Sequence, residues 1–232
     1  MFKLVRQLFA SAALAGAALL PQAQAAVVTA VVDFEGDSLV GLYFPGDSLL
    51  QSGFVMTVNQ DFGTIDTVGA LDPSLAPTGN LTQFYFNSND GSLSLARDGG
   101  GLFNLDGFSA AFVSQPDRSQ TTVIAAYGTR SDNSNFGVAW LYGSSLTDNH
   151  PFLAYGDPVD FSGFTDLIQV EFFSCAYDSA GICVTPTQNN GQFALDDIQL
   201  SFDAGTVPEP ATLALMTIGL LGLGLGSLRR TV

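Results

Sequence analysis

Apolar and polar residues alternate with a period of two along most of the chain, beginning at Val27. The alternating pieces are short, and glycine, proline or Asp-Gly pairs interrupt them. We expect about nine to eleven strands at intervals of about 8–15 residues, with no amphipathic helix between them. This pattern predicts an all-β protein, an antiparallel β-sandwich of jelly-roll type. The candidate strand segments are 27–35, 39–44, 53–58, 82–87, 92–96, 102–105, 108–113, 121–129, 136–142, 167–174 and 192–202, and a weak strand is suggested at 64–68 inside a long loop.

The N-terminal segment breaks this pattern and has the three parts of a secretory signal peptide. Lys3 and Arg6 make its start positive, residues 8–20 are apolar, and small residues follow. We therefore predict cleavage between Ala25 and Ala26. The apolar stretch is too short to span a bilayer as a helix, which argues against a membrane anchor at this end.

The C-terminal segment, residues 206–232, contains a Pro-Glu-Pro triplet, then an apolar run, then two arginines. The apolar run from Ala211 to Leu228 has about 18 residues, or roughly 27 Å as a helix, close to the ~30 Å hydrocarbon thickness. We predict a single transmembrane helix here. Arginines after such a helix prefer the cytoplasmic side, so residues 26–205 would form a domain facing the periplasm. A plain C-terminal membrane anchor is the alternative reading.

The charge of the chain narrows the range of partners. Its formal net charge is −15, and between the terminal segments the basic residues are Arg97, Arg118 and Arg130, without any lysine. So acidic a domain repels phosphate backbones, which excludes nucleic acid as an expected partner.

The residues of the tail resemble a known sorting signal. Val207-Pro208-Glu209-Pro210, the apolar run and the closing Arg229-Arg230 are similar to the PEP-CTERM sorting signal of Gram-negative bacteria. This resemblance implies that an exosortase recognises the tail at the inner membrane and removes the helix. The domain then travels to the cell surface, often in organisms that build an exopolysaccharide matrix. The stretches SLSLARDGGGLFNLDGFSAAF and FALDDIQL also resemble PEP-CTERM proteins of small β-sandwich type, most of which have no assigned activity.

A second resemblance concerns the two ends of the domain. The acidic triplet DFE at the start and LDDI at the end are similar to the jelly rolls of carbohydrate-binding modules and galactose-binding-like domains. In those folds the first and last strands are neighbours, and acidic residues at both ends often hold a structural calcium ion. The resemblance implies a calcium site formed by Asp33, Glu35, Asp196 and Asp197.

Alternation in the last strand bears on this site. It places Asp196 on the same face as Ile198 and Leu200, and a buried carboxylate needs a hydrogen-bonding partner or a cation. The alternative is that these acids cap turns and face solvent.

Few residues suggest catalysis. His150 is the one histidine, it lies in a turn, and no Gly-x-Ser-x-Gly segment accompanies it. Glu35 and Glu171 are the only glutamates of the domain, and paired carboxylates could in principle cleave glycosides. We expect neither arrangement to be catalytic and predict that the protein is not an enzyme.

Cys175 and Cys183 are the only cysteines. In an oxidising compartment two cysteines this close in sequence most simply form a disulfide, with a free reactive pair as the alternative.

The aromatic residues decide between two functional classes. Exposed rings bind sugars, whereas alternating strands mostly use such rings as core; the candidates are Tyr85, Tyr127, Trp140 and Tyr142. Our main expectation is a non-enzymatic exported protein with a structural or interaction role at the cell surface or in the polysaccharide matrix. The alternative is a carbohydrate-binding module stabilised by calcium.

Overall fold

The computed structural model describes residues 26–67, 69, 77–113, 122–141, 151–186 and 191–204. The sandwich is a unit spanning Val28–Phe202. Several predictions fall outside the described residues: the signal peptide with Ala25, the membrane-spanning helix, Tyr142, His150 and the sorting residues Pro208, Glu209, Pro210, Arg229 and Arg230. Within the described residues, no helix is long and apolar enough to cross a membrane.

The described residues form fourteen β-strands and one short α-helix. The strands are β1 (Val27–Val32), β2 (Gly41–Tyr43), β3 (Ser48–Gln51), β4 (Phe54–Gln60), β5 (Gly63–Thr67), β6 (Gln83–Asn87), β7 (Ser92–Arg97), β8 (Asn104–Phe112), β9 (Thr122–Arg130), β10 (Asn135–Leu141), β11 (Leu153–Tyr155), β12 (Leu167–Tyr177), β13 (Cys183–Val184) and β14 (Phe193–Asp203). The helix, α1, is Pro158–Phe161.

The strands make two seven-stranded sheets. Sheet I has the order β11-β8-β14-β6-β5-β2, with β1 also paired to β14. Sheet II has the order β10-β9-β12-β7-β4-β3, with β13 also paired to β12. Neighbouring strands along both orders run antiparallel. The prediction of an all-β antiparallel sandwich is confirmed, and the first and last strands are neighbours as the jelly-roll resemblance implied.

The core between the sheets is largely aromatic. Phe108 of sheet I packs against Phe172 of sheet II with ring centroids 5.2 Å apart, nearly edge to face. Trp140 and Phe161 pack on the same ring at 5.1 and 5.9 Å. Edge-to-face aromatic pairs contribute about 0.5–1.5 kcal/mol beyond the area they bury, so this cluster ties the two sheets together.

The residues at the N-terminus of helix α1 favour helix formation. Asp157 caps it by accepting a hydrogen bond from the Val159 backbone N–H, and Pro158 follows in the first turn. The helix inserts Phe161 into the core. It also brings the Asp160 carboxylate to 3.1 Å from the Trp140 indole nitrogen, which satisfies that buried N–H group.

The structure corrects the strand prediction in several places. Two strands were expected across residues 102–113, but β8 runs without a break from Asn104 to Phe112. Strands β3, β11 and β13 were not expected, because two to four residues are too few to display a period of two. The strand suggested near Thr64 is confirmed as β5.

Candidate functional site

A row of side chains crosses sheet II on its outer face. The residues alternate along their strands with core residues, and each lies directly opposite the next in the antiparallel registers. Residues opposite each other project from the same face, so the row is one continuous surface. Its members, from β10 to β3, are Gly137, Tyr127, Glu171, Ser94, Thr57 and Ser48.

The centre of this row is a polar cluster. The Asn59 side-chain nitrogen donates to Ser94 Oγ at 2.6 Å and to Glu171 Oε1 at 3.0 Å. Ser92 Oγ donates to the same carboxylate oxygen at 2.6 Å. Three strands therefore supply a connected hydrogen-bond network that fixes the Glu171 carboxylate on the face of the sheet.

Tyr127 stands beside this cluster and is 42% exposed. It lies opposite Gly137 on the neighbouring strand. A Cβ atom at Gly137 would be 3.2 Å from Cδ2 of the tyrosine and 3.9 Å from Cε2, so the ring leans over the glycine. The glycine thus gives the ring a support on the sheet while leaving a large part of it in solvent.

Tyr127 and Glu171 line a groove of about 310 Å³, together with Asp90, Ser92 and Ser174. Gln60, Gly91, Phe173 and Thr185 complete the described lining. Both charged residues of this lining are acidic. Ser174 is buried, and its hydroxyl oxygen has no hydrogen-bond partner within the described residues.

A second cleft, of about 410 Å³, lies on sheet I and contains Asp196 and Asp197. Asp196 is opposite Ser109, which also lines the cleft. The Asn80 side-chain nitrogen donates to Asp196 Oδ2, and the Asp197 backbone N–H donates to Oδ1 at 2.8 Å.

Burial raises the pKa of the Asp196 carboxyl to about 7. The hydrogen bonds from Asn80 and from the Asp197 backbone oppose this rise by favouring the ionised form. The neighbouring Asp197 and Glu35 carboxylates add to it by repulsion. Asp196, with its raised pKa, therefore lies in the cleft of sheet I.

The expectation about the face of Asp196 was wrong. The register of β14 against β8 shifts between Asp196 and Gln199, and Asp197 has a φ of 48°. This bulge puts Leu195 and Ile198 in the core and Asp196 on the outer face of sheet I.

The other two predicted calcium ligands have protein partners. Asp33 Oδ1 accepts from the Gln51 side chain at 2.7 Å, and Glu35 Oε1 accepts from the Gln83 backbone at 3.0 Å. Among the described residues, no three His, Cys, Asp or Glu side chains are grouped so that they could hold a metal ion. Asp33 and Glu35 therefore act in this structure as acceptors that fix the turn after β1.

The predicted sugar-binding rings divide clearly. Tyr85 is fully buried and Trp140 is 7% exposed, so both belong to the core, whereas Tyr127 is exposed.

Cys175 and Cys183 are joined in a disulfide with Cα atoms 5.4 Å apart. This bond links β12 to β13 at one end of sheet II.

The polar cluster was not predicted from the sequence, although part of the pattern that produces it is visible there. The SLSLA segment places Ser92 and Ser94 on one face of a strand, and Glu171 is one of two glutamates in the domain. Asn59 was not expected at all. It lies 112 positions from Glu171 in sequence, and only the strand order brings the two together.

Comparison with known families gives one match to the sequence. Residues 206–230 match the family model of the PEP-CTERM protein-sorting motif. The chain carries a PEP-CTERM sorting motif. Such a motif implies an exported protein with a membrane-anchored precursor that is processed by an exosortase. The prediction drawn from Pro208-Glu209-Pro210, the apolar run and the two arginines is thereby confirmed at the level of the motif.

Comparison with solved structures gives distant matches. A DUF4465 family protein from Bacteroides caccae is 11% identical, with a TM-score of 0.48 over 76% of this chain and 99% of that one. A family 11 carbohydrate-binding module from Clostridium thermocellum is 15% identical, with a TM-score of 0.32 over 75% and 96%. TmCBM61 is 12% identical, with a TM-score of 0.31 over 66% and 89%. No curated protein matches the sequence. Similarities this distant support no statement about ligand or activity.

Proposed function

We propose that this protein is exported as a membrane-anchored precursor, that an exosortase removes its C-terminal segment, and that the sandwich then acts at the cell surface or in the exopolysaccharide matrix. The observation that carries the proposal is the PEP-CTERM motif at residues 206–230, directly after the last strand. The role of the sandwich is structural or interactive, without catalysis.

The two glutamates of the sandwich do not form a catalytic pair with each other. Glu171 lies on the outer face of sheet II, held by Asn59 and Ser92. Glu35 follows β1 of sheet I and accepts from the Gln83 backbone. A glycosidase needs two carboxylates that converge across one bond, and these two belong to separate hydrogen-bond networks in separate sheets.

Mass spectrometry of the surface-released protein tests the export route. We expect a C-terminus at or near the Pro-Glu-Pro triplet, and an intact C-terminus through Val232 would contradict the proposal. Replacing the triplet by alanines (Pro208→Ala, Glu209→Ala, Pro210→Ala) should keep the protein in the membrane fraction. Thr231→Ala, which lies beyond the matched residues, is the control and should be released like the wild type.

A carbohydrate-binding role is the second candidate, and one observation favours it. Tyr127 presents a supported, partly exposed ring beside a fixed carboxylate in a groove. Retention of the wild-type protein on matrix polysaccharide in a pull-down would support this role. If the polysaccharide does not retain the wild-type protein, the sandwich is left with a structural role alone.

Calcium binding at the sheet I cleft is a further proposal, and it concerns stability. Its support is the buried Asp196 carboxylate with Asp197 beside it in the cleft, since calcium prefers oxygen ligands. Calorimetry with calcium chloride, together with melting in the presence and absence of a chelator, tests this. A melting temperature that is the same under both conditions, with no heat of binding, would remove calcium from the account.

A further inference from the structure

The outer groove of sheet II combines one exposed ring with a carboxylate that has unused acceptor capacity. Within the described residues, both hydrogen bonds to the Glu171 carboxylate end on Oε1. Oε2 can therefore accept a hydrogen bond from a ligand. Because Asn59 and Ser92 fix the other oxygen, the direction of Oε2 is set before any ligand arrives.

The ring of Tyr127 supplies the apolar part of the surface. It is supported by the close approach of Gly137 and remains 42% exposed. A ligand with an apolar face and hydroxyl groups at its edge would stack on this ring and donate to the neighbouring oxygens. The pyranose ring of a sugar has this chemistry, because its axial C–H bonds form an apolar face and its hydroxyls point outward.

The charge of the groove selects among sugars. Its two charged lining residues, Asp90 and Glu171, are both acidic, and the described lining contains no lysine or arginine. Uronic acids and sulfated sugars would meet like charge without a cation to pair with, at a cost that adds to their desolvation.

We propose that the groove lined by Tyr127 and Glu171 binds a segment of a neutral polysaccharide and rejects anionic ones. One pyranose ring stacks on Tyr127, and its hydroxyls donate to Glu171 Oε2. This inference rests on the carbohydrate-binding role proposed above and names its site and ligand class.

Affinity electrophoresis of the detergent-solubilised full-length protein tests the inference. Native gels contain either a neutral polymer (hydroxyethylcellulose, galactomannan or soluble starch) or alginate as the anionic polymer. We expect at least one neutral polymer to retard the protein, whereas alginate does not. Retardation by none of the neutral polymers would overturn the inference.

Three variants locate the site. Tyr127→Ala should weaken binding to the neutral polymer at least tenfold. Glu171→Gln should narrow the difference in retardation between the neutral-polymer gel and the alginate gel, because one charge that repels alginate is lost. Tyr177→Ala is the matched control: Tyr177 is 46% exposed but does not line the groove, and its loss should leave retardation unchanged. Trp140 fluorescence confirms that each variant is folded.

The outcomes separate this inference from the role on which it rests. If neutral polymer retards the wild type and Tyr127→Ala equally, the protein binds carbohydrate but elsewhere, and the groove assignment is wrong. If alginate retards the wild type as strongly as the neutral polymers do, the charge argument is wrong. Absence of retardation in every gel contradicts the carbohydrate-binding role, and it leaves the export route to be judged by its own experiment.

Discussion

Leu195 and Ile198 lie three positions apart in β14, and yet both side chains are fully buried in the core between the sheets. Simple alternation would put them on opposite faces. The bulge between them, with Asp197 at a φ of 48°, resets the alternation. It is also the reason why Asp196 lies on the outer face of sheet I.

The bulge requires a positive φ at residue 197, and substitutions at this position can test that requirement. Few side chains adopt a positive φ easily, and β-branched ones least of all. We expect Asp197→Val to lower the free energy of unfolding by about 1–2 kcal/mol, whereas Asp197→Gly stays within about 1 kcal/mol of wild type. Urea denaturation followed by fluorescence of Trp140, the one tryptophan of the chain, measures both.

The control for this prediction is Leu50→Val, an exposed position of β3 where the register is regular and φ is not positive. We expect it to change stability by less than about 0.5 kcal/mol. Equal stability of Asp197→Val and the control would show that the bulge places no such demand on residue 197.

The bulge also marks the limit of what the sequence could predict. Period-two alternation located most long strands, because it reflects which face of each strand is buried. A bulge adds one residue without a sequence signal as strong as Gly or Pro, so Asp196 was assigned to the wrong face. Register is the second limit. Tyr127, Glu171 and Asn59 form one surface only because of the strand order β9-β12-β7-β4, which no local pattern encodes.

Asp196 should make stability depend on pH. Burial raises the pKa of its carboxyl from 3.8 to about 7, so the folded protein binds this proton more tightly than the unfolded chain does. Stability from this group is therefore greatest below about pH 4 and falls as pH rises to about 7, by up to about 4 kcal/mol. Urea denaturation at a series of pH values measures the fall.

Two variants test the origin of that pH dependence. Asp196→Asn should remove this component, so that stability changes less between pH 4 and 7 than in wild type. Asn80→Ala removes a hydrogen bond that favours the ionised form, so it should raise the pKa of Asp196 and steepen the fall. An Asp196→Asn protein with the wild-type pH profile would show that another group is responsible.

Gly63 is required by the packing of Tyr85. The two residues lie diagonally across β5 and β6, and a Cβ atom at Gly63 would collide with the fully buried tyrosine ring and its hydroxyl. We expect Gly63→Ala to destabilise the fold by about 1–3 kcal/mol through overpacking. Thermal or urea unfolding measures the loss.

A double-mutant cycle checks that the cause is this contact. Gly63→Ala combined with Tyr85→Leu should cost less than the sum of the two single changes, because the smaller side chain makes room for the methyl group. Gly41→Ala in the neighbouring strand β2 is the control, since a Cβ atom there meets nothing within 4 Å. Strict additivity in the cycle would contradict the packing argument.

The Cys175–Cys183 bond closes a short loop, with the two residues eight positions apart. In the chain-entropy description, a cross-link of this length stabilises the fold by about 2–3 kcal/mol, because it restricts the unfolded chain. We expect Cys175→Ala/Cys183→Ser to lose about that amount in urea denaturation. Reducing the wild type should cause a similar loss and should leave the double variant unchanged. If reduction does not lower the stability of the wild type, the bond contributes nothing measurable, and β13 is held by its pairing with β12 alone.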